Sequence, residues 1–140
     1  MEKTLNRLMS IDSSINNLGL AIWEMGSKTL IYYQLMHPKV GERGSEYTKS
    51  TSMLNQIRDL VCEYDVTHMI MEVPEYWAVG GFEARETGSI GKLLFVCGMI
   101  YSLEDQNIGG TIIKEFRLVT PRGWKVQLFY YRPTYILILQ

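Results

Sequence analysis

Two apolar runs joined by a short polar turn constrain this chain most. Leu8-Met9-Ser10-Ile11 climbs to Asp12, Ser13 to Asn17 form the turn, and Leu18 to Trp23 leaves past Gly19. Short apolar runs bounded by turn residues read as paired strands, so the chain begins with a hairpin that presents Asp12 at its mouth. A carboxylate in that position is costly unless it is partnered or used. Asp12 is therefore the first candidate ligand for a divalent metal ion.

The meander continues through Gly26-Ser27-Lys28 into Thr29 to Met36, a third strand rich in Ile and Tyr. His37-Pro38 and then Gly41 to Gly44 break the pattern and mark a surface loop. From Ser45 the period changes. Leu54, Ile57, Val61 and Tyr64 recur at steps of three and four, with Asn55, Arg58, Asp59 and Glu63 off the stripe, so a helix lies on the sheet and ends at Asp65. Thr67 to Pro74 is a short apolar strand; Pro74 cannot donate to a ladder, which leaves Glu72 near the strand's C-terminal end. In open α/β sheets that end is where ligands gather. A right-handed crossover sets this strand beside the first, so Asp12 and Glu72 can face one pocket.

Beyond it the text is mixed. Glu75 to Thr87 combines Tyr76, Trp77, Phe82 and two glycines with Arg85. Such a loop suits stacking on unpaired bases, and equally suits aromatics tucked under the loop itself. Ser89 to Leu103 is a second helix, apolar on nearly every face, either central in the fold or shared with a partner subunit. Gly109-Gly110 is a turn, Thr111 to Val119 a fifth strand, and Pro121 opens a helix that carries Lys125. The tail 129–140, with Tyr135-Ile136-Leu137-Ile138-Leu139, reads as a strand.

Composition excludes little. With 140 residues, 46% hydrophobic and 21% charged, the chain has the makings of one globular domain with its own core. A net charge of −1 neither supports nor excludes a nucleic-acid partner, because a local basic stripe works inside a neutral total. Cys62 and Cys97 lack zinc-ligand spacing and are expected to be buried, reduced thiols. The sequence carries no leading apolar segment and no apolar run long enough to span a bilayer, so a soluble cytoplasmic protein without a membrane partner is expected.

The strand Ile11-Asp12-Ser13-Ser14, the Asn16-Asn17 turn and Gly19 resemble the first motif of RuvC-like Holliday junction resolvases, particularly the phage-type members. Met69 to Val73, with Glu72, resembles their second motif, and Val119-Thr120-Pro121 to Gln127, with Trp124 and Lys125, their segment after the fifth strand. The resemblance covers residues 8 to 128. It implies an α/β, RNase H-like fold of three antiparallel strands followed by parallel strands with crossover helices. It also implies a homodimer, through the apolar helix 89–103, and metal-dependent cleavage of four-way DNA junctions. Asp12 and Glu72 would be the catalytic metal ligands for Mg²⁺ or Mn²⁺, and Lys125 a DNA or transition-state contact. Ser13 stands where family members often carry proline.

One departure is larger. Family members place further acids on a C-terminal helix, whereas here the last acid is Glu115 and 116–140 contains neither Asp nor Glu. The expectation is a nuclease domain over 1–128 with an atypical apolar tail at 129–140, a truncated or frame-altered resolvase with weak or absent cleavage. Two other readings fit parts of the sequence. One is a non-catalytic module that binds branched DNA through Arg85, Lys92, Arg122, Lys125 and Arg132. The other is an ATP-binding domain of the actin-kinase type, against which Ser14 and Ile15 replace the glycines that let backbone amides approach phosphate.

Overall fold

The computed structural model describes residues 5–14, 16–40, 44–74 and 89–120. Strands β1 (Arg7–Asp12), β2 (Leu18–Glu24) and β3 (Thr29–Met36) form the expected antiparallel meander. Helix α1 (Glu46–Tyr64) then leads to β4 (His68–Glu72), which lies parallel to β1. After α2 (Ser89–Tyr101) come two short strands, β5 (Asn107–Ile108) and β6 (Thr111–Ile112), and then β7 (Glu115–Val119). Among the described residues the main sheet runs β3-β2-β1-β4-β7, with β7 parallel to β4.

Alternation along the strands separates two faces. Met9 and Ile11 of β1, Leu20 and Ile22 of β2, Met69 and Met71 of β4 and Phe116 of β7 point to one side. There they meet Met53, Ile57, Leu60 and Val61 of α1 and Val96, Cys97 and Ile100 of α2 in one buried cluster. The opposite face holds a smaller cluster of Leu8, Ile70 and Val119, with Met25 against it. By register Asp12 and Glu72 belong to this second face, away from the helices.

Local chemistry explains the helix boundaries. Ser45 adopts extended backbone as N-cap and its side chain accepts from the Thr48 amide at 3.2 Å, satisfying one free N–H of the first turn. Asp65 ends α1 in the left-handed conformation, φ 49°, and its N–H returns to the Val61 carbonyl. The buried stripe is Met53, Ile57, Leu60 and Val61; Leu54 and Tyr64 only flank it.

Three expectations need correction. Thr111 to Val119 is not one strand. Gly109 and Gly110, both at positive φ, turn β5 into β6, and Ile113 is buried while the Lys114 amide donates to the Thr67 carbonyl at 2.7 Å; only from Glu115 does the chain join the sheet. Cys62 is exposed, not buried, because it sits on the outward side of α1, where its thiol donates to the Ile108 carbonyl at 3.2 Å. The second helix stops at Tyr101, short of Leu103; Val96, Cys97 and Ile100 face the core, while Leu94 and Phe95 are exposed. No helix among the described residues is long and apolar enough to cross a membrane. The domain boundary at 128 and the tail 129–140 lie outside the described residues.

Candidate metal centre

The β1–β4 ladder ends on the pair Asp12 and Glu72, which stand directly opposite each other in register. Neighbouring strands lie about 4.8 Å apart, so two carboxylates on one face at the same level are close neighbours. Asp12 is exposed and Glu72 half-buried. Burial raises the Glu72 pKa above the ordinary carboxylate value, and the charge of Asp12 adds to the effect. The mouth of the sheet is thus a place where negative charge is crowded and a cation would relieve it.

The space beside the pair is open. Gly19, opposite Asp12 on β2, has no side chain, and a Cβ there would stand 3.8 Å from the Asp12 Cβ. On the other side the ends of the two strands are tied together. The Ser13 hydroxyl donates to the Glu72 carbonyl at 2.6 Å, and the buried Cys97 thiol of α2 donates to the Ser13 oxygen at 3.3 Å. Burial raises the Cys97 pKa, with the hydrogen bond to Ser13 acting the other way, so the thiol stays protonated and remains a donor.

Of the remaining site candidates only Lys92 is among the described residues. Lys92, near the start of α2, forms an ion pair with Glu46 at 3.7 Å on the solvent side. Arg85, Arg122, Lys125 and Arg132 lie outside the described residues. Sequence reasoning found the acid pair but passed over Ser13 and Cys97. A hydroxyl directly after the first acid, facing a strand that Pro74 stops, was the available signal for Ser13; nothing in the sequence marked Cys97 as its partner.

The donor set fits one hard cation. Mg²⁺ is commonly held by one or two carboxylates, with waters and substrate oxygens completing the octahedron. Two carboxylates at one strand-end level match that pattern. Among the described residues no group of three or more His, Cys, Asp or Glu side chains is placed to hold a metal.

No family model and no curated protein matches the sequence. Solved structures do match. Thermus thermophilus RuvC, in complex with a Holliday junction substrate, superposes with a TM-score of 0.59 at 12% identity, over 89% of this chain and 69% of that one. The yeast mitochondrial Holliday junction resolvase gives a TM-score of 0.58 at 11% identity, over 97% of this chain and 56% of that one. This chain has a RuvC-type fold. At such identity the fold is what is shared, and the chain spans little more than two thirds of the bacterial protein's length and just over half of the yeast protein's. Within the RuvC-type fold of this chain, the acid pair sits where the first and fourth strands end together.

Proposed function

We propose that the chain is a metal-dependent endonuclease of the Holliday junction resolvase type, in the RNase H-like superfamily, acting on four-way DNA. The observation that carries the proposal is the in-register placement of Asp12 and Glu72 on one face at adjacent strand ends. The fold likeness to two junction resolvases supports the same reading.

In this reading Asp12 and Glu72 hold Mg²⁺ or Mn²⁺ through their carboxylates. A bound ion supplies Lewis-acid charge for phosphodiester hydrolysis and lowers the pKa of a water at the site. Glu72, half-buried, gives the more desolvated ligand and so the stronger electrostatic one; Asp12, exposed, keeps the mouth open to a phosphate. Lys125 is assigned the backbone or transition-state contact, and Arg85, Lys92 and Arg122 contacts to DNA phosphates. Exposed Leu94 and Phe95 on α2, beside Tyr47 of α1, support a homodimer contact through that helix.

A second reading, in which the domain binds branched DNA without cutting it, is favoured by one observation: among the described residues no group of three or more His, Cys, Asp or Glu side chains is placed to hold a metal. If Asp12 and Glu72 were the whole donor set, a two-ion cage would be incomplete and the protein would bind junctions while cutting them weakly or not at all.

Incubation with a synthetic four-way junction and Mn²⁺, beside Asp12→Asn and Glu72→Gln, separates the two. Cleavage by the wild type that both variants lose is the expected result for the nuclease. Equal cleavage by wild type and Asp12→Asn would remove Asp12 from the mechanism. Salt-dependent junction binding without cleavage points to the binding module.

A further inference from the structure

We infer that Ser13 is a positioning residue for the acid pair: its hydroxyl, buttressed by Cys97 of α2, extends the β1–β4 ladder by one side-chain rung and fixes the spacing of Asp12 and Glu72. The inference rests on the metal-site reading above and adds a residue to it.

The geometry is specific. The main-chain ladder between β1 and β4 has its last register pair at Asp12 and Glu72. Beyond it β4 turns to its other neighbour, since the Val73 amide donates to the Val119 carbonyl at 2.8 Å, and Pro74 has no amide to give. The Glu72 carbonyl is taken instead by the Ser13 hydroxyl at 2.6 Å, from the residue directly after Asp12. The clamp therefore joins the main chain of one acid to the neighbour of the other. Two like charges on adjacent strand ends push those ends apart, and this bond opposes that splay where it acts.

Ser13 is itself held. Its oxygen accepts from the Cys97 thiol at 3.3 Å, and Cys97 is only 4% exposed, within the main core. A hydroxyl that donates once and accepts once has its rotor fixed. Through this chain the position of α2 reaches the mouth of the sheet although α2 packs on the opposite face. Proline, common at this position in the family the sequence resembles, stiffens the backbone but has no hydroxyl to make the rung.

Mn²⁺ titration of the full chain, followed by electron paramagnetic resonance of the free ion, tests the inference. Wild type should bind Mn²⁺, and Asp12→Asn and Glu72→Gln should each abolish binding. Ser13→Ala should weaken it about tenfold, the factor that matches loss of one ordinary hydrogen bond. Ser13→Thr, which keeps the hydroxyl, should restore affinity to within about threefold of wild type, a rescue expected if that bond supplies the tenfold effect. Wild-type affinity in a folded Ser13→Ala, with both acid variants dead, overturns the positioning role and leaves the metal site standing. If instead the acid variants bind like wild type, the metal-site reading fails and takes this inference with it. Should Ser13→Ala not fold, Ser13→Cys carries the test, because a thiol is the weaker donor: intermediate affinity supports the clamp and undiminished affinity refutes it.

Discussion

Asp12→Asn should make the metal-free protein more stable, not less. The substitution keeps the shape of the side chain and removes its charge beside Glu72. Two unit charges about 5 Å apart repel by about 0.8 kcal/mol at the dielectric of water and about 3 kcal/mol at an effective value of 20. Asp12 is exposed and Glu72 only half-buried, so the lower end applies and, with solvent screening, the gain is about 1 kcal/mol at most. For a chain of this size that raises Tm by roughly 3 °C. The pH dependence fixes the sign independently. Burial, and then Asp12, hold the Glu72 carboxyl above its ordinary value of 4.5. A group raised in the folded state stabilises it below the unfolded value, and that contribution is lost as pH rises through the folded value. Wild type should therefore lose stability with rising pH more than Asp12→Asn does: the two Tm values meet near pH 4 and separate by pH 7. Thermal melts in chelator across that range measure the gap. Added Mn²⁺ should reverse the order, since only the wild type binds it in the native state. A gap independent of pH, or a less stable Asp12→Asn at pH 7 in chelator, would refute the reasoning.

Other substitutions test other parts. Gly109→Ala should destabilise the chain by about 1–3 kcal/mol in denaturant melts, since the residue has φ +59° and a Cβ there would stand 2.7 Å from the Cys62 sulfur. Ser45→Ala should cost about 1 kcal/mol in the same assay by removing the N-cap of α1. Lys92→Ala should change stability by less than about 1 kcal/mol, because its pairing with Glu46 is solvent-exposed. If Lys92 touches a phosphate, the same variant should lower the slope of log binding against log salt by about one, read from junction binding at several salt concentrations.

The elements whose sequence carried a clear period were legible. β1 to β3, α1 and β4 follow from alternation, from the three-and-four spacing over 54–64, and from Pro74; together these were enough to bring Asp12 beside Glu72. The segment 111–119 misled because its alternation runs across a real break. Ile113 turns into the core and Lys114 bonds to Thr67, in the connection between α1 and β4, and no local pattern announces that contact. The Ser13–Cys97 bond was hidden for the same reason, its partners being 84 positions apart. The apolar character of α2 was legible too, but which of its faces meets the core was not: Val96, Cys97 and Ile100 are buried while Leu94 and Phe95 lie outside.

The parallel pairing of β1 with β4 has a consequence for how the protein comes into being. The meander and α1 are built from near neighbours, and closing them costs little chain entropy. The β1–β4 ladder instead joins the first strand of the meander to a strand that follows β2, β3 and α1. A nascent or partly melted chain can therefore hold its hairpins and its helix while Asp12 faces solvent without its partner. Whatever the two carboxylates do together begins only when that long-range closure is made, so the acidic mouth also reports that β1 and β4 have paired.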